Sequence, residues 1–299
     1  MRGVYPLVVA VLALCASAAA GADTDKSFER TVPAGPKGAV DISNVSGSID
    51  VSGWDRPEVA VRAELGAGVE RVDVSTDHGR TTIKVVVPNH LSFHSGEAQL
   101  HVQVPKYSDL TVSAVSADLT TSGMLGLQHL NAVSGDVSAE LAGADLELKA
   151  VSGNVKLKGH GQPARLHVST VSGDLRLDHG AGELEAGTVS GTMVISLDSA
   201  SSVRLRSTSG DVHFDGDLAR DASLDGNSVS GDFKIRTRAA GGYAYELSSF
   251  SGDLNSCFKG KEKAEDHMPG KRLDGTLGAG AAHVRMKSMS GDIELCDRK

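Results

Sequence analysis

Through the second half of the chain, apolar and polar residues alternate in short runs that recur at a nearly fixed interval. Four of them read Val155-Lys156-Leu157, Leu175-Arg176-Leu177, Phe233-Lys234-Ile235 and Ile293-Glu294-Leu295. Apolar, polar, apolar is the period-2 signature of a half-buried strand, with Leu177 inside and Lys156 outside. Each run stands three residues after the serine of a returning phrase. The phrase reads Val133-Ser134-Gly135-Asp136, Val151-Ser152-Gly153-Asn154 and Val171-Ser172-Gly173-Asp174. Shorter copies stand at Ser190-Gly191, Ser209-Gly210, Ser230-Gly231, Ser251-Gly252 and Ser290-Gly291, and a weaker one at Ser116-Ala117-Asp118. Successive serines are 18, 18, 20, 18, 19, 21, 21 and 39 residues apart. A fixed period near 20 residues is the mark of a stacked array.

A second apolar column lies upstream of the serine, at Leu130, Leu148, Val168, Ala186, Leu205, Leu247 and Met286, with Gly226 interrupting it. Each repeat therefore reads as a strand, a Ser-Gly corner, a second strand and a loop. One repeat cannot bury its own apolar rows, so stacked neighbours must do it. The predicted fold is all-β: a parallel β-solenoid, or β-helix, of about 18–21 residues per coil. Glycine suits the corner, and the Asp or Asn that follows can bond its own turn. The outward column His129, Glu147, His167, Glu185, Arg204, Asp225, Glu246, Arg285 alternates in sign, as a parallel ladder needs, except where Asp225 meets Glu246.

Residues 23–109 lack the period. Alternating stretches at 59–64, 69–76, 81–87 and 98–104 predict strands, and the segment reads as an irregular β-rich N-terminal cap. Val40 to Val51 carries the repeat's apolar offsets and reads as a founding strand pair. The periodic body is 110–299, and residues 258–276 read as an inserted loop.

Composition places the chain rather than its fold. Residues 1–22 read as a secretory signal peptide, with Arg2 as the only charge, an apolar Val4–Leu14 stretch and small residues after it. Leu14 precedes Cys15, which argues against lipidation. Removing this segment leaves 29 basic and 38 acidic residues, a net charge of −9. That disfavours nucleic acid and anionic lipid as partners. No later segment is long and apolar enough to span a bilayer, so the chain reads as exported, periplasmic or extracellular, and not integral to a membrane.

The phrase from Asn44 to Arg56, followed by serial Val-Ser-Gly-Asp, resembles the bacterial envelope family known as "putative adhesins". The resemblance covers nearly all of the mature chain. It implies a secreted parallel β-solenoid, sometimes linked to envelope stress, and it brings no catalytic residues.

The residues themselves supply little chemistry. A serine repeated in every coil is a corner residue, and the Gly-x-Ser-x-Gly turn of a hydrolase is absent. Asp211, Asp232, Asp253 and Asp292 share a column that could hold Ca²⁺, but Asn154 and Thr192 interrupt it and Asx turns account for it. His90 and His94 have zinc-like spacing without a helix to give it meaning, and His160 and His179 lie in neighbouring loops. No catalytic residue, metal or cofactor is therefore expected. Trp54, the only tryptophan, reads as packing at the cap before it reads as a binding platform. Among the clustered aromatics, Tyr245 and Phe250 fall at core offsets, leaving Tyr243 and Phe258 as the candidate ligand surface beside the insertion. The reading is a non-enzymatic envelope protein presenting a rigid surface to an unknown envelope protein or glycan. The alternative is a polysaccharide-binding or polysaccharide-cleaving β-helix.

Cys257 and Cys296 each stand six residues after a repeat serine. If the gap of 39 residues is one coil with an insertion, their Cα atoms lie about 4.8 Å apart, within disulfide reach. If it holds two coils, about 9.6 Å separates them and no bridge can form. Residues 258–276 contain no copy of the repeat, which favours one coil and a bridge. That bridge would clamp the Ser290 repeat as the last in the stack.

Overall fold

In the computed structural model, which describes residues 26–88, 96–258, 261–263 and 270–298, the alternating runs are strands. Every regular element among the described residues is β. The signal-like segment, Cys15, His90 and His94 lie outside the described residues.

Strands preceding the corner pair parallel and in register from one repeat to the next. Ser116 faces Ser134, Ser152 faces Ser172, and Ser172 faces Ser190. Strands following the corner form a second parallel ladder, in which Val137, Val155, Leu175, Met193, Val212 and Phe233 face one another in turn. The apolar columns point inward: Val155, Met193, Val212, Phe233 and Leu148 are fully buried, and Leu177 is 1 % exposed. Each such side chain contributes about 1.5–3 kcal/mol on burial, and the stack holds two columns on each ladder.

At the N-terminal end, the strand Ala39–Trp54 pairs with Asp109–Ser122 on the repeat register, Ser46 against Ser116. Beyond it the pairing turns antiparallel, with Glu58–Leu65 lying between Lys26–Pro33 and Ala98–Pro105. Arg80–Val86 pairs parallel with the start of Ala39–Trp54 and antiparallel with Arg71–Asp77. These strands cover an edge that would otherwise be open to a second chain.

The C-terminal end departs from the sequence reading. The Ser290 repeat is not the last layer. Its strand Ala282–Ser288 lies between Val212–Ser228 and Gly242–Ser249. Its second strand, Ile293–Asp297, lies between Phe233–Ala239 and Leu254–Ser256. The chain leaves one layer open after the Ser230 repeat, builds the Ser251 repeat beyond it, and returns to fill the gap. The return uses part of the stretch read as a loop: Lys271–Gly278 is a strand, antiparallel to Gly242–Ser249. It covers that strand's outer edge with Leu273 as its buried anchor. With so little apolar surface to bury, this strand gives almost no period-2 signal.

Two physical features fit this order. Asp225 and Glu246 are not neighbours, because Arg285 stands between them, 4.0 Å from Asp225 and 3.6 Å from Glu246. The sign alternation is then unbroken. Gly226, the gap in the core column, faces Met286, and a Cβ at 226 would lie 2.2 Å from the Met286 sulfur. The large side chain of one layer fills the space left by the next.

Candidate functional site

Each residue of the Val-Ser-Gly-Asp phrase has a distinct task at the corner. In the later corners the serine hydroxyl donates to a carbonyl of the preceding layer, as in Ser230 to Thr208 (3.2 Å) and Ser290 to Val229 (3.3 Å). In the earlier corners the glycine is held at positive φ, 113° at Gly153 and 119° at Gly173. A Cβ at Gly173 would also lie 2.1 Å from the Gly153 carbonyl oxygen, so only glycine lets the layers close. The Asp carboxylate accepts from the backbone N–H of the equivalent residue in the next layer, not from its own turn. Asp118 accepts from Asp136 (2.9 Å), Asp136 from Asn154 (2.8 Å), Asp174 from Thr192 (2.8 Å) and Asp232 from Asp292 (2.8 Å). The column is thus a chain of charge-assisted bonds between layers. At its far end, the Lys271 ammonium donates to Asp253.

The valine does none of this. It points into solvent. In layer order the column reads Val45, Val115, Val133, Val151, Val171, Val189, Thr208, Val229, Met289 and Phe250. All but Thr208 stand out as exposed large apolar side chains, 38–59 % accessible. Neighbours are one strand spacing apart, so ten layers make a ridge about 43 Å long. Single exposed apolar residues are ordinary; a continuous row of them marks an interaction surface. Strand propensity alone does not account for the row, since threonine serves it as well and occurs in the column only at Thr208.

The sequence-predicted site residues fall differently. Tyr243 is buried, 2 % exposed, and Phe250 is 57 % exposed, the reverse of the expectation. Residues 243, 245, 247 and 249 share the inward parity of one strand, whereas Phe250 takes the place of the ridge valine. Burial raises the Tyr243 phenol well above its ordinary pKa. Phe258 is half-buried and packs edge-on to Tyr243, centroids 6.3 Å apart. It lines a cleft of about 750 Å³ with Cys257, Cys296, Asp215 and Arg298. Cys257 and Cys296 are disulfide-bonded across adjacent strands, Cα atoms 4.9 Å apart. Because the Ser290 repeat is interior, the bond ties the outermost repeat to the layer beneath it.

His160 and His179 do not meet. His160 pairs with Glu140 at 2.7 Å and His179 with Asp198 at 3.2 Å. Among the described residues one group has metal-ligand proximity, Cys257, Glu294 and Cys296, and the disulfide occupies both of its sulfurs. Trp54 is half-buried and donates from Nε1 to the Glu58 carbonyl (2.9 Å). Near the C-terminus, Arg298 reaches Asp215 at 2.6 Å and Asp217 at 3.1 Å, while Arg238 reaches Asp217 at 2.7 Å. Burial pushes the Asp217 carboxyl up, but the two guanidinium groups outweigh it and hold it below the usual carboxylate range.

The family model described as Toastrack DUF4097 matches residues 23–193 and again 72–296. The chain belongs to this family. Solved structures similar to this toastrack chain include a "putative adhesin" from Bacteroides fragilis. It is 13 % identical, covers 91 % of this chain and 98 % of its own, and has a TM-score of 0.43. A "putative adhesin" from Parabacteroides distasonis is 11 % identical, with 91 % and 98 % covered and a TM-score of 0.38. A "putative lipid binding protein" from the same organism is 9 % identical, with 91 % and 98 % covered and a TM-score of 0.40. No curated protein matches the toastrack chain. Among its described residues, no helix is long and apolar enough to cross a membrane.

Proposed function

We propose that this chain is an exported, non-enzymatic envelope protein, a rigid parallel β-solenoid that presents its corner ridge to another envelope component. The observation that carries the reading is the apolar row from Val45 to Phe250. Rigidity follows from the interlayer bonds beside it, made by the Asp carboxylates and, in the later corners, by the serine hydroxyls. Export to the periplasm or beyond is supported by the apolar segment at 1–22 and by the Cys257–Cys296 bond, since disulfides persist in oxidising compartments. A non-enzymatic role is supported by the corner chemistry, in which the repeated Asp carboxylates, and the serine hydroxyls of the later corners, are engaged in interlayer hydrogen bonds.

Site-specific photocrosslinking in envelope preparations tests this. A benzophenone side chain at position 151, on the ridge, should give one dominant adduct. The same group at position 156, on the outward column after the corner, should give none. Equal labelling from both positions, or from neither, would remove the ridge as the interaction surface.

A further inference from the structure

Apart from the ridge, the N-terminal end carries a trough of about 630 Å³ laid across five strands. Its residues fall into cross-strand rows. One row is charged: Glu29 faces Arg62, Arg62 faces His101, and His101 faces Asp50. Arg62 is 3.1 Å from Glu29 and His101 is 3.1 Å from Asp50, so these charges have partners within the row. The next row is small and neutral: Thr31 faces Ala60, Ala60 faces Gln103, Gln103 faces Ser52, and Ser52 faces Ser122. Among the described residues, the hydroxyls and amide of this floor make no side-chain hydrogen bond.

Trp54 forms the far wall. Its bond to the Glu58 carbonyl fixes the indole. Arg56 stacks over the ring at 5.0 Å and lies 3.6 Å from Glu58, with 69 % of its side chain in water. Such an exposed stack and ion pair is weak and easily displaced. The trough therefore offers a fixed aromatic face, a floor of unused neutral donors and acceptors, and a polar row whose members are already paired with one another.

We infer that this trough binds a neutral oligosaccharide, with a pyranose ring on the Trp54 indole and its hydroxyls on Gln103, Ser52 and Ser122. A sugar has an apolar C–H face for an aromatic ring and a rim of hydroxyls for an amide and serines. A charged ligand would have to compete with the existing ion pairs. The site is separate from the ridge, and the inference does not depend on the ridge reading.

Trp54 is the only tryptophan, so its fluorescence reports on this trough alone. The mature chain is titrated with cellohexaose, maltohexaose and chitohexaose, and with a sulfated hexasaccharide as the anionic control. At least one neutral sugar should give a saturable emission change, matched by calorimetric heat. Trp54→Ala should abolish the heat. Gln103→Ala, which leaves the Trp54 bond in place, should weaken binding by roughly 3–10-fold, the loss of one neutral hydrogen bond. Val151→Thr on the ridge should leave it unchanged. No saturable response to any neutral hexasaccharide at 10 mM, a response to the sulfated sugar alone, or full binding by Gln103→Ala would each overturn the inference.

Discussion

At the scale of single residues, the repeat phrase is a set of contacts between layers. The corner glycine is the clearest case, because positive φ and close approach act together at Gly173. At Gly187 φ is not positive, and an added Cβ would meet no atom nearer than 3.9 Å. Gly173→Ala should cost more than about 2 kcal/mol, and Gly187→Ala should be neutral within about 0.5 kcal/mol, both by urea denaturation. Similar costs at the two positions would mean that the corner does not need glycine. Residue identities at this scale are largely legible in the sequence, since parity alone gives the inside columns. Tyr243 escapes the reading although its parity matches Tyr245 and Leu247. Phe250 escapes it because the offset read as core is the position immediately before the repeat serine, which is the column of the ridge valines. The Asp column is legible as a hydrogen-bonding position, but its partner lies in the next layer, and the sequence holds no trace of that.

At the scale of elements, the C-terminal layers are set by charge and volume. Arg285 separates two carboxylates only because its strand is inserted. Arg285→Glu should destabilise the chain by about 1 kcal/mol, less in 1 M salt, in keeping with exposed pairs. Asp225→Lys added to Arg285→Glu should recover part of that loss. Asp225→Lys alone, set against Arg285, should cost stability. If the repeats stacked in chain order, residue 225 would face Glu246 instead, and Asp225→Lys would stabilise the parent and the Arg285→Glu variant alike. The order is half legible: Asp225 beside Glu246 breaks an otherwise regular alternation, and Gly226 breaks a core column. Both breaks are mended by the same inserted strand. The second prediction here concerns Asp217, held by Arg238 and Arg298. Its folded-state pKa is depressed, so the stabilisation it gives is fully present above the unfolded-state value, about 3.9, and is lost as pH falls through the lower folded value. Asp217→Asn should therefore unfold at lower urea concentration than the parent at pH 6, with the difference closing below about pH 4. A difference that persisted unchanged at pH 2.5 would show that the cost is steric.

At the scale of the whole molecule, a stack of corners in register repeats its surface columns along its length. An inward column becomes a core, a polar outward column becomes a charge ladder, and an apolar outward column becomes a ridge. The fold is legible because the period is strong. The ridge is present in the sequence as the first letter of its commonest phrase, but exposure at that position depends on where the corner turns, and alternation alone does not show it. The trough is not legible, because its rows are assembled from five strands spread over residues 29–122. The central claim is that the ridge, and not stability, is what the valines serve. The direct measurement is partner binding by Val133→Thr/Val151→Thr/Val171→Thr, made beside its urea midpoint. Thr208 already occupies this column, so the fold accommodates the change. The account predicts an unchanged midpoint with binding of the crosslinked partner weakened at least about 10-fold, or about 1.4 kcal/mol. Unchanged binding with a lowered midpoint would contradict it.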